Sequence, residues 1–569
     1  MKKNKELARI FNQIADALEY KGENVFRVVA YRKAAKVLDE LIEDVEELNK
    51  QNRLKELPGI GEGIAKKIDE YLKTGKMQKY EEATKGIPES LLELLNIQNL
   101  GPKTLALANR NLGVKNLTDL KRVIEDGSLA KLPQMGEKKV ENIKKGIELY
   151  ERSHERLPLA LAVEVASGVI EYLKKNAPIK NISPAGSLRR WRETIGDIDI
   201  LVTGKDHKKI TEVFTNYPKA ERVLSAGETK SSILVEGGIQ VDIRIVDEKS
   251  YGAALQYFTG SKAHNVKLRT IAISKKWKLN EYGVFKGEKA IAGEDEEGVY
   301  KILGLQWIPP ELREDRGEVE RAQKNSLPKL VELRDIRGDL QMHSNYSDST
   351  ASIEELARFC EQLGYEYILI TDHSQSAKYA HGLEIDRLYK QWEEIDGLNK
   401  RLKIKILKGI EVDILANGKL DYPDKILREL DLVVASIHQG FTKNVTERIC
   451  SAMENPYVDI IGHPTGRLIS KREGYLMDIN KVMEKAAQTR TCLECNAYPD
   501  RLDLNDVNLK RAKEMGIKVS LGTDAHGLNE LLWMKFGVAT CRRGWLEKED
   551  VINTYPLEKL LGMRKRNRY

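Results

Sequence analysis

Asp197 and Asp199 stand two residues apart in Gly196-Asp197-Ile198-Asp199-Ile200. Positions i and i+2 of a strand face the same side, so this spacing presents two carboxylates together. A second alternating run, Gln240-Val241-Asp242-Ile243-Arg244, offers a third from a neighbouring strand. Carboxylates gathered in this way repel one another unless cations neutralise them. Two Mg2+ ions about 3.5–4 Å apart would do so and would clamp the attacking and leaving oxygens of a phosphoryl transfer. Upstream, Gly186-Ser187-Leu188-Arg189-Arg190 supplies the complement. Glycine permits close backbone approach, the serine hydroxyl and N–H suit a terminal phosphate, and Arg190 balances triphosphate charge.

A second concentration of chemistry lies late in the chain, where six of nine histidines follow residue 340. Most sit beside an acid after a short apolar run: Asp339-Leu340-Gln341-Met342-His343, Thr371-Asp372-His373, Ile437-His438, Ile461-Gly462-His463-Pro464 and Thr523-Asp524-Ala525-His526. Glu411, in Gly409-Ile410-Glu411-Val412-Asp413, adds a carboxylate. Loops at the C-terminal ends of barrel strands converge on one place, so these side chains are expected to gather. Mixed imidazole and carboxylate donors favour Mn2+, Zn2+ or Fe2+ over Mg2+.

The elements that must position these groups follow from periodicity. Up to about residue 150 the pattern is helical, with Leu7, Ile10, Phe11, Ile14 and Leu18 on one face. Alternating β-branched runs between about 155 and 250 predict a sheet with flanking helices. Residues 309–334, with Pro309-Pro310 and many charges, read as a linker. Beyond them, short apolar strands alternate with helical segments in the rhythm of a β/α barrel.

In the helical region one pattern recurs: Leu57-Pro58-Gly59-Ile60-Gly61, Ile97-Gln98-Asn99-Leu100-Gly101-Pro102-Lys103 and Leu132-Pro133-Gln134-Met135-Gly136-Glu137-Lys138-Lys139. A glycine turn opening a helix leaves N–H groups aimed at an anion, so each hairpin can grip a DNA phosphate without reading bases. Gly59, Gly61, Gly101, Lys103, Gly136 and Lys138 are the expected DNA contacts. Asn99 and Gln134 replace the central glycine in the second and third hairpins, and glutamine tolerates a left-handed turn less well than asparagine.

Formal charge is +7, from 94 Lys and Arg against 87 Asp and Glu, so nucleic-acid affinity must come from local basic surfaces rather than a basic tail. No apolar run reaches the length of a membrane span, the start does not read as a signal peptide, and a cytoplasmic monomer is expected. The five cysteines (Cys360, Cys450, Cys492, Cys495 and Cys541) are too few and scattered for a disulfide framework, and Cys492-x-x-Cys495 lacks a second pair for zinc.

Gly-Ser followed by Gly-Asp-Ile-Asp matches the nucleotidyltransferase signature, and Tyr257-Phe258-Thr259-Gly260-Ser261 resembles the family X DNA polymerases, the likeness running over residues 1–315. The resemblance implies that Asp197, Asp199 and Asp242 hold the metals, with Asp242 also helping to deprotonate the primer 3′-OH. Gly186, Ser187 and Arg190 would bind the triphosphate, and the backbone at Tyr257 and Phe258, beside Gly260, would exclude a ribose 2′-OH. Asn265 and Arg269 would touch the minor groove of the new base pair and the template. Lys67 falls where lyase-active members carry a Schiff-base lysine, although Gly63 and Arg27 replace their further lysines.

The histidine-rich region resembles the PHP (polymerase and histidinol phosphatase) domain, a seven-stranded distorted barrel with a trinuclear phosphoesterase centre. The resemblance implies His343, Asp348, His373, Glu411, His438, His463, Asp524 and His526 as ligands. That family's first motif is usually His-x-His; here the first position is Gln341. His381 is expected near the substrate instead.

Together these resemble a bacterial or archaeal family X DNA polymerase with a C-terminal PHP domain. The implied chain is multidomain: all-α helix-hairpin-helix regions at 1–85 and 86–152, an α+β nucleotidyltransferase palm at 153–250, a nucleotide-checking subdomain at 251–315, a linker at 316–334 and a distorted β/α barrel at 335–569. The implied activity is gap filling in DNA repair with Mg2+, plus 3′–5′ trimming with Mn2+ (or Zn2+ or Fe2+), on gapped or nicked duplex DNA and dNTPs. Two other readings fit some of the residues: a small-molecule nucleotidyltransferase fused to a phosphatase, and a polymerase whose PHP domain is catalytically silent.

Overall fold

The computed structural model describes residues 2–568 except 42–44, 52, 58, 86, 88–90, 92, 93, 95, 96, 98, 99, 134, 154, 155, 470 and 471. The chain divides into two compact units, Met1–Glu155 and Arg156–Tyr569.

The described residues of the first unit are helical. α1 (Lys2–Tyr20) and α2 (Val25–Glu40) bury Leu7, Phe11, Ile14 and Leu18 against Ala34, Ala35 and Leu38, as the spacing predicts. α3 (Glu62–Thr74), α4 (Pro102–Leu112) and α5 (Glu137–Ser153) each follow one of the recurring hairpins. Two apolar clusters hold these elements, one reaching from Leu7 to Ala83 and one from Leu91 to Ile147.

The second unit opens with a five-stranded sheet: β1 (Ile179–Pro184), β2 (Ile198–Gly204), β3 (Ala220–Ala226), β4 (Lys230–Val235) and β5 (Ile239–Ile245), in spatial order β1-β2-β5-β4-β3. β2 and β5 run parallel; the other neighbours are antiparallel. Ile198, Ile200 and Val202 point into a core shared with the helix Leu159–Asn176, so the alternation turns Asp199 to the opposite face with Leu201. Between β1 and β2 lies the one-turn helix α6 (Gly186–Arg189). α7 (Tyr251–Thr259), which packs on Leu201, and α8 (Lys262–Ser274) follow, then a three-stranded antiparallel sheet of β6 (Lys278–Asn280), β7 (Gly283–Lys286) and β8 (Lys289–Ala292).

Residues 309–334, expected as a linker, are packed rather than extended. α9 (Glu318–Gln323) buries Glu318, Val319 and Ala322, and the Glu318 carboxylate lies 2.7 Å from His264 Nδ1. Arg313 is fully buried and donates to Glu296. Charge density reads as solvated surface in a sequence, but here Glu311, Arg313, Glu314 and Arg316 find opposite partners inside the fold.

The rest of the chain forms the barrel: β9 (Gly338–Met342), β10 (Tyr367–Ile370), β11 (Lys405–Asp413), β12 (Leu432–Ser436), β13 (Ile460–Ile461), β14 (Cys492–Asn496) and β15 (Val519–Gly522), all parallel and in chain order. Just beyond the strand ends β9 meets β15, where Asp524 N–H donates to Gln341 O and His343 N–H to Ala525 O, each at 2.9 Å. Ile410 and Val412 of β11 enter the outer core, which turns Glu411 and Asp413 inward. α10 (Asp506–Glu514) and α11 (Met534–Arg543) pack outside β14 and β15. The five cysteines are free, and Cys360, Cys492, Cys495 and Cys541 are buried.

Candidate active sites

β2 and β5 align so that Asp199 is the register partner of Asp242. With Asp197 just before β2, the three carboxylates place one oxygen each within 4.8 Å of one another. Asp242 accepts from Gln240 Nε2 at 2.8 Å and pairs with Lys230 at 2.9 Å. Asp199 has no such partner among the described residues; burial, then the Asp197 and Asp242 charges, push its carboxyl up to about 7. Gly186 lies beside it with φ +57°, and an added Cβ would overlap Asp199 Oδ2. Gly186 is thus required by the carboxylate itself, a reason beyond ligand access. An all-oxygen cluster held against its own repulsion fits a hard divalent cation.

Ser187 follows at the start of α6, and Arg190 closes it. Arg190 donates through Nε to Glu314 at 3.0 Å and through Nη1 to the carbonyl of Thr259, which ends α7. Arg189 forms a two-pronged pair with Glu296, at 2.7 and 2.9 Å. Tyr257 and Phe258 are half-buried at the end of α7, Phe258 beneath the Arg244 guanidinium and Gly260 with φ +70° beyond them. Asn265 is buried and anchors this segment: its amide donates to Tyr257 O at 2.7 Å and accepts from Gln256 at 2.6 Å. Arg269 is exposed on α8. Sequence reasoning missed Glu314 and Lys230: one lies in the charged stretch read as a linker, and a lone strand lysine carries no signal.

In the barrel, His343, Asp348, His373 and His526 form one group of converging donors, and His373, Glu411 and His438 another. Glu411 is the hub. Its Oε1 lies 3.0 Å from His463 Nε2 and 3.4 Å from His438 Nε2, and its Oε2 lies 3.1 Å from His373 Nδ1. Asp524 meets His343 Nε2 at 3.0 Å and accepts from Asn496 at 3.1 Å. Asp413, two residues from Glu411 and on the same face of β11, bonds His438 Nδ1 at 2.5 Å and fixes that ring. The period-two spacing could have revealed Asp413. Gln341 points its amide at the hub, Nε2 donating to Glu411 Oε1 at 3.1 Å. His381 belongs to neither group; it is exposed, and its carbonyl accepts from Arg387 at 2.8 Å.

Burial alone would raise the Glu411 carboxyl, yet the His438 and His373 imidazoles hold it well below the carboxylate range. Burial opposes charge on His438 too, but Glu411 and Asp413 push it up to about 10. His526 is raised to about 9, against burial, by Asp348 and Asp524. Asp348 is drawn down to about 2, against burial, chiefly by His526 and His343. His343 Nδ1 and His463 Nδ1 are buried without a hydrogen-bond partner among the described residues. Buried imidazole nitrogens left unpaired beside carboxylates fit divalent cations.

The three hairpins share one turn. Ile60, Leu100 and Met135 donate their N–H groups to Leu57, Ile97 and Leu132 at 3.0, 3.1 and 3.0 Å, and the next residue in each case is the glycine that opens the helix. Gly61 and Gly101 offer no side-chain cap, leaving the N–H groups of Glu62 and Gly63 on α3 and of Lys103 on α4, where Pro102 has none, without helical acceptors. Gly59 has φ +101° and, like Gly136 and Lys138, is exposed. Asn99, Gln134 and the side chain of Lys103 lie outside the described residues. Lys67 on α3 donates to Gly63 O at 2.8 Å and lies over Tyr31; burial, then Lys79, lowers its pKa.

Comparison with known proteins gives matches along most of the chain. A helix-hairpin-helix domain model matches residues 2–77, a SAM-like helix-hairpin-helix tandem 91–148, a DNA polymerase beta thumb 254–314 and a PHP domain 339–497. A Bacillus subtilis (strain 168) protein named DNA polymerase/3′-5′ exonuclease PolX is 40% identical over 574 residues, covering 99% of both chains. DNA polymerase lambda of Arabidopsis thaliana is 27% identical over 346 residues, 54% of this chain and 62% of its own length. A probable phosphatase of Thermoanaerobacter sp. (strain X514) is 32% identical over 219 residues, 36% of this chain and 84% of its own.

Proposed function

This chain belongs to the PolX family of DNA polymerase/3′–5′ exonucleases, and on that premise we propose that it fills short gaps in duplex DNA at Asp197, Asp199 and Asp242 and trims 3′ ends at the histidine-rich barrel centre. The observation that carries the reading is the coexistence, on one chain with helix-hairpin-helix domains, of an all-carboxylate cluster and a mixed imidazole–carboxylate cluster. Each donor set suits a different divalent ion: Mg2+ for the first, Mn2+ for the second.

Divalent ions held by these residues would supply charge neutralisation to the phosphoryl groups in both reactions. The rest is work for the side chains. Ser187 and the first N–H groups of α6 hold the terminal phosphate, and Arg190 balances its charge. Asp242 takes the primer 3′-OH proton. Asn265 keeps the Tyr257 carbonyl in place, so backbone at Tyr257 and Phe258 meets a ribose 2′-OH and excludes it; Arg269 reaches the template. In the barrel, Asp413 holds the His438 ring, while His343, Asp348, His373, Glu411, His463, Asp524 and His526 complete the donor set. Gly59, Gly61, Gly101, Lys103, Gly136 and Lys138 grip DNA phosphates without reading sequence. The likeness to DNA polymerase lambda supports a role in repair synthesis, and the hairpins argue against a small-molecule nucleotidyltransferase.

The test is primer extension on a one-nucleotide gap with Mg2+, the same substrate being scored for 3′ shortening with Mn2+ and no dNTP. Template-directed addition and end trimming are both expected. Untemplated addition to free nucleotides, or a barrel that leaves 3′ ends intact, would overturn the corresponding half.

A further inference from the structure

The nucleotide-binding turn of the palm is braced from the barrel side. Immediately after α6 come Arg190, Trp191, Arg192 and Glu193, and three of the four are held by residues beyond position 460. Arg543, at the end of α11, donates through Nη1 to the carbonyl of Arg190 at 2.7 Å. Phe536 of the same helix meets the Trp191 ring edge-on at 6.1 Å. Arg467 donates to Glu193 at 2.8 Å. The apolar contact is continuous: Phe536 and Leu502 belong to the same buried cluster as Ile198 and Ile200 of the palm.

Arg543 also reaches the side chain of Arg190 through an intermediary. Its Nη1 lies 3.1 Å from Glu314 Oε1, the oxygen that accepts from Arg190 Nε at 3.0 Å. Its other terminal nitrogen binds Asp506 of α10 at 2.6 Å, and Arg316 binds that same carboxylate at 3.0 Å. Arg543 and Glu314 are each 4% exposed. Burial would raise the Glu314 carboxyl, but Arg543, Arg190 and Arg192 bring it down to about 2. A buried guanidinium with both terminal nitrogens committed is rigid, and what it holds is rigid with it.

We propose that Arg543 is a positioning residue for nucleotide addition: it fixes both the backbone and, through Glu314, the guanidinium of Arg190, so the barrel domain completes the triphosphate site of the palm. The proposal rests on the reading of Arg190 as a triphosphate contact. Preorganised contacts of this kind act through how well the bound ligand is held, so the effect falls on KM for the dNTP more than on kcat.

The experiment uses the full chain in single-nucleotide gap filling, with Mn2+-dependent 3′ trimming of the same preparation as the measure of an intact barrel. Arg543→Met is expected to raise KM for the dNTP about tenfold, leave kcat within about threefold and leave trimming within about twofold. Because Arg543 acts through Arg190, the double variant Arg190→Gln/Arg543→Met should be no worse than Arg190→Gln alone. An unchanged KM with trimming intact overturns the proposal, and so does a double variant whose losses multiply. If Arg543→Met loses trimming as well, Arg543→Lys decides: a smaller KM rise with trimming kept supports the proposal, and no rise overturns it. Arg190→Gln with an unaltered KM would instead strike the reading of Arg190, and the proposal with it; a raised KM there beside an inert Arg543→Met strikes the proposal alone.

Discussion

The palm cluster and the barrel centre solve the same electrostatic problem in opposite ways. In the palm, three carboxylates share one place with Lys230 paired to Asp242, and burial, added to by the repulsion of its two neighbours, raises Asp199 to about 7. In the barrel, imidazoles surround the carboxylates: His438 rises to about 10 and His526 to about 9, while Asp348 falls to about 2. A cation held in the palm would displace the proton of the raised Asp199 carboxyl, and one held in the barrel those of the raised His438 and His526 imidazoles. Repulsion among hard oxygens selects for charge neutralisation, whereas paired nitrogen and oxygen donors select for softer ions.

The strongest way to break this contrast is to remove one centre and watch the other. Asp197→Ala or Asp199→Ala should lower gap filling about a thousandfold or more while 3′ trimming continues. His343→Ala should do the reverse. Extension by either palm variant within about tenfold of the parent, or trimming by His343→Ala at the parent rate, would overturn the assignment of that centre.

A smaller effect tests the amide at the hub. A neutral amide is a weaker ligand than imidazole, and in this structure it donates a hydrogen bond to Glu411, so Gln341 must turn its oxygen inward to ligate. Gln341→His should raise the metal content of desalted protein and lower the Mn2+ concentration that half-activates trimming, with gap filling unchanged. Three tightly held metals in the parent would refute this account.

Next come two pH windows in chelator-treated protein. A carboxyl whose folded pKa lies above its unfolded value of about 3.9 favours folding most at low pH, so the Asp199 contribution is lost as pH rises from about 4 to about 7. The raised imidazoles contribute stability that is present below about 6.5 and lost as pH rises through their folded values of about 9 and about 10. Thermal melts should therefore decline in two stages. Asp199→Asn should make the lower one shallower, because the buried carboxyls of Asp339 and Asp459, raised to about 7 and about 6, contribute to the same window, and saturating Mn2+ should flatten the upper one. A single decline unaffected by Asp199→Asn would show that the two clusters do not differ in this way.

A still smaller change should touch both centres alike, because both take the same DNA. Lys138→Ala should reduce the salt slope of duplex binding by about one and weaken it equally for different sequences. A sequence-dependent loss would sink the reading of the hairpins as phosphate grips. Last, a third reactive centre would disturb the comparison: Lys67→Ala is expected to leave gap filling within about twofold and to abolish any borohydride-trapped adduct with an abasic 5′ end, since Lys67 is the lysine with a lowered pKa at that position. An adduct that persists in Lys67→Ala would place that chemistry elsewhere.

Local chemistry was legible without coordinates. The two-residue spacing of Asp197 and Asp199, the glycines that open α3, α4 and α5, and histidines at the ends of apolar runs each follow from strand or helix geometry, which short sequence windows encode. Asp242 could be named but not placed. Its alignment with Asp199 depends on the parallel register of β2 and β5, which neither strand specifies alone. The reason for Gly186 is likewise a contact with a side chain from another strand. The contacts that tie Arg190 to Glu314 and Arg543 gave no signal at all, with 229 residues separating Arg543 from Glu314 and 353 from Arg190. A charged residue reads the same in sequence whether it will stand in water or be buried against its opposite, because the choice is made by packing between distant elements and by the cost of leaving any one of those charges unpaired.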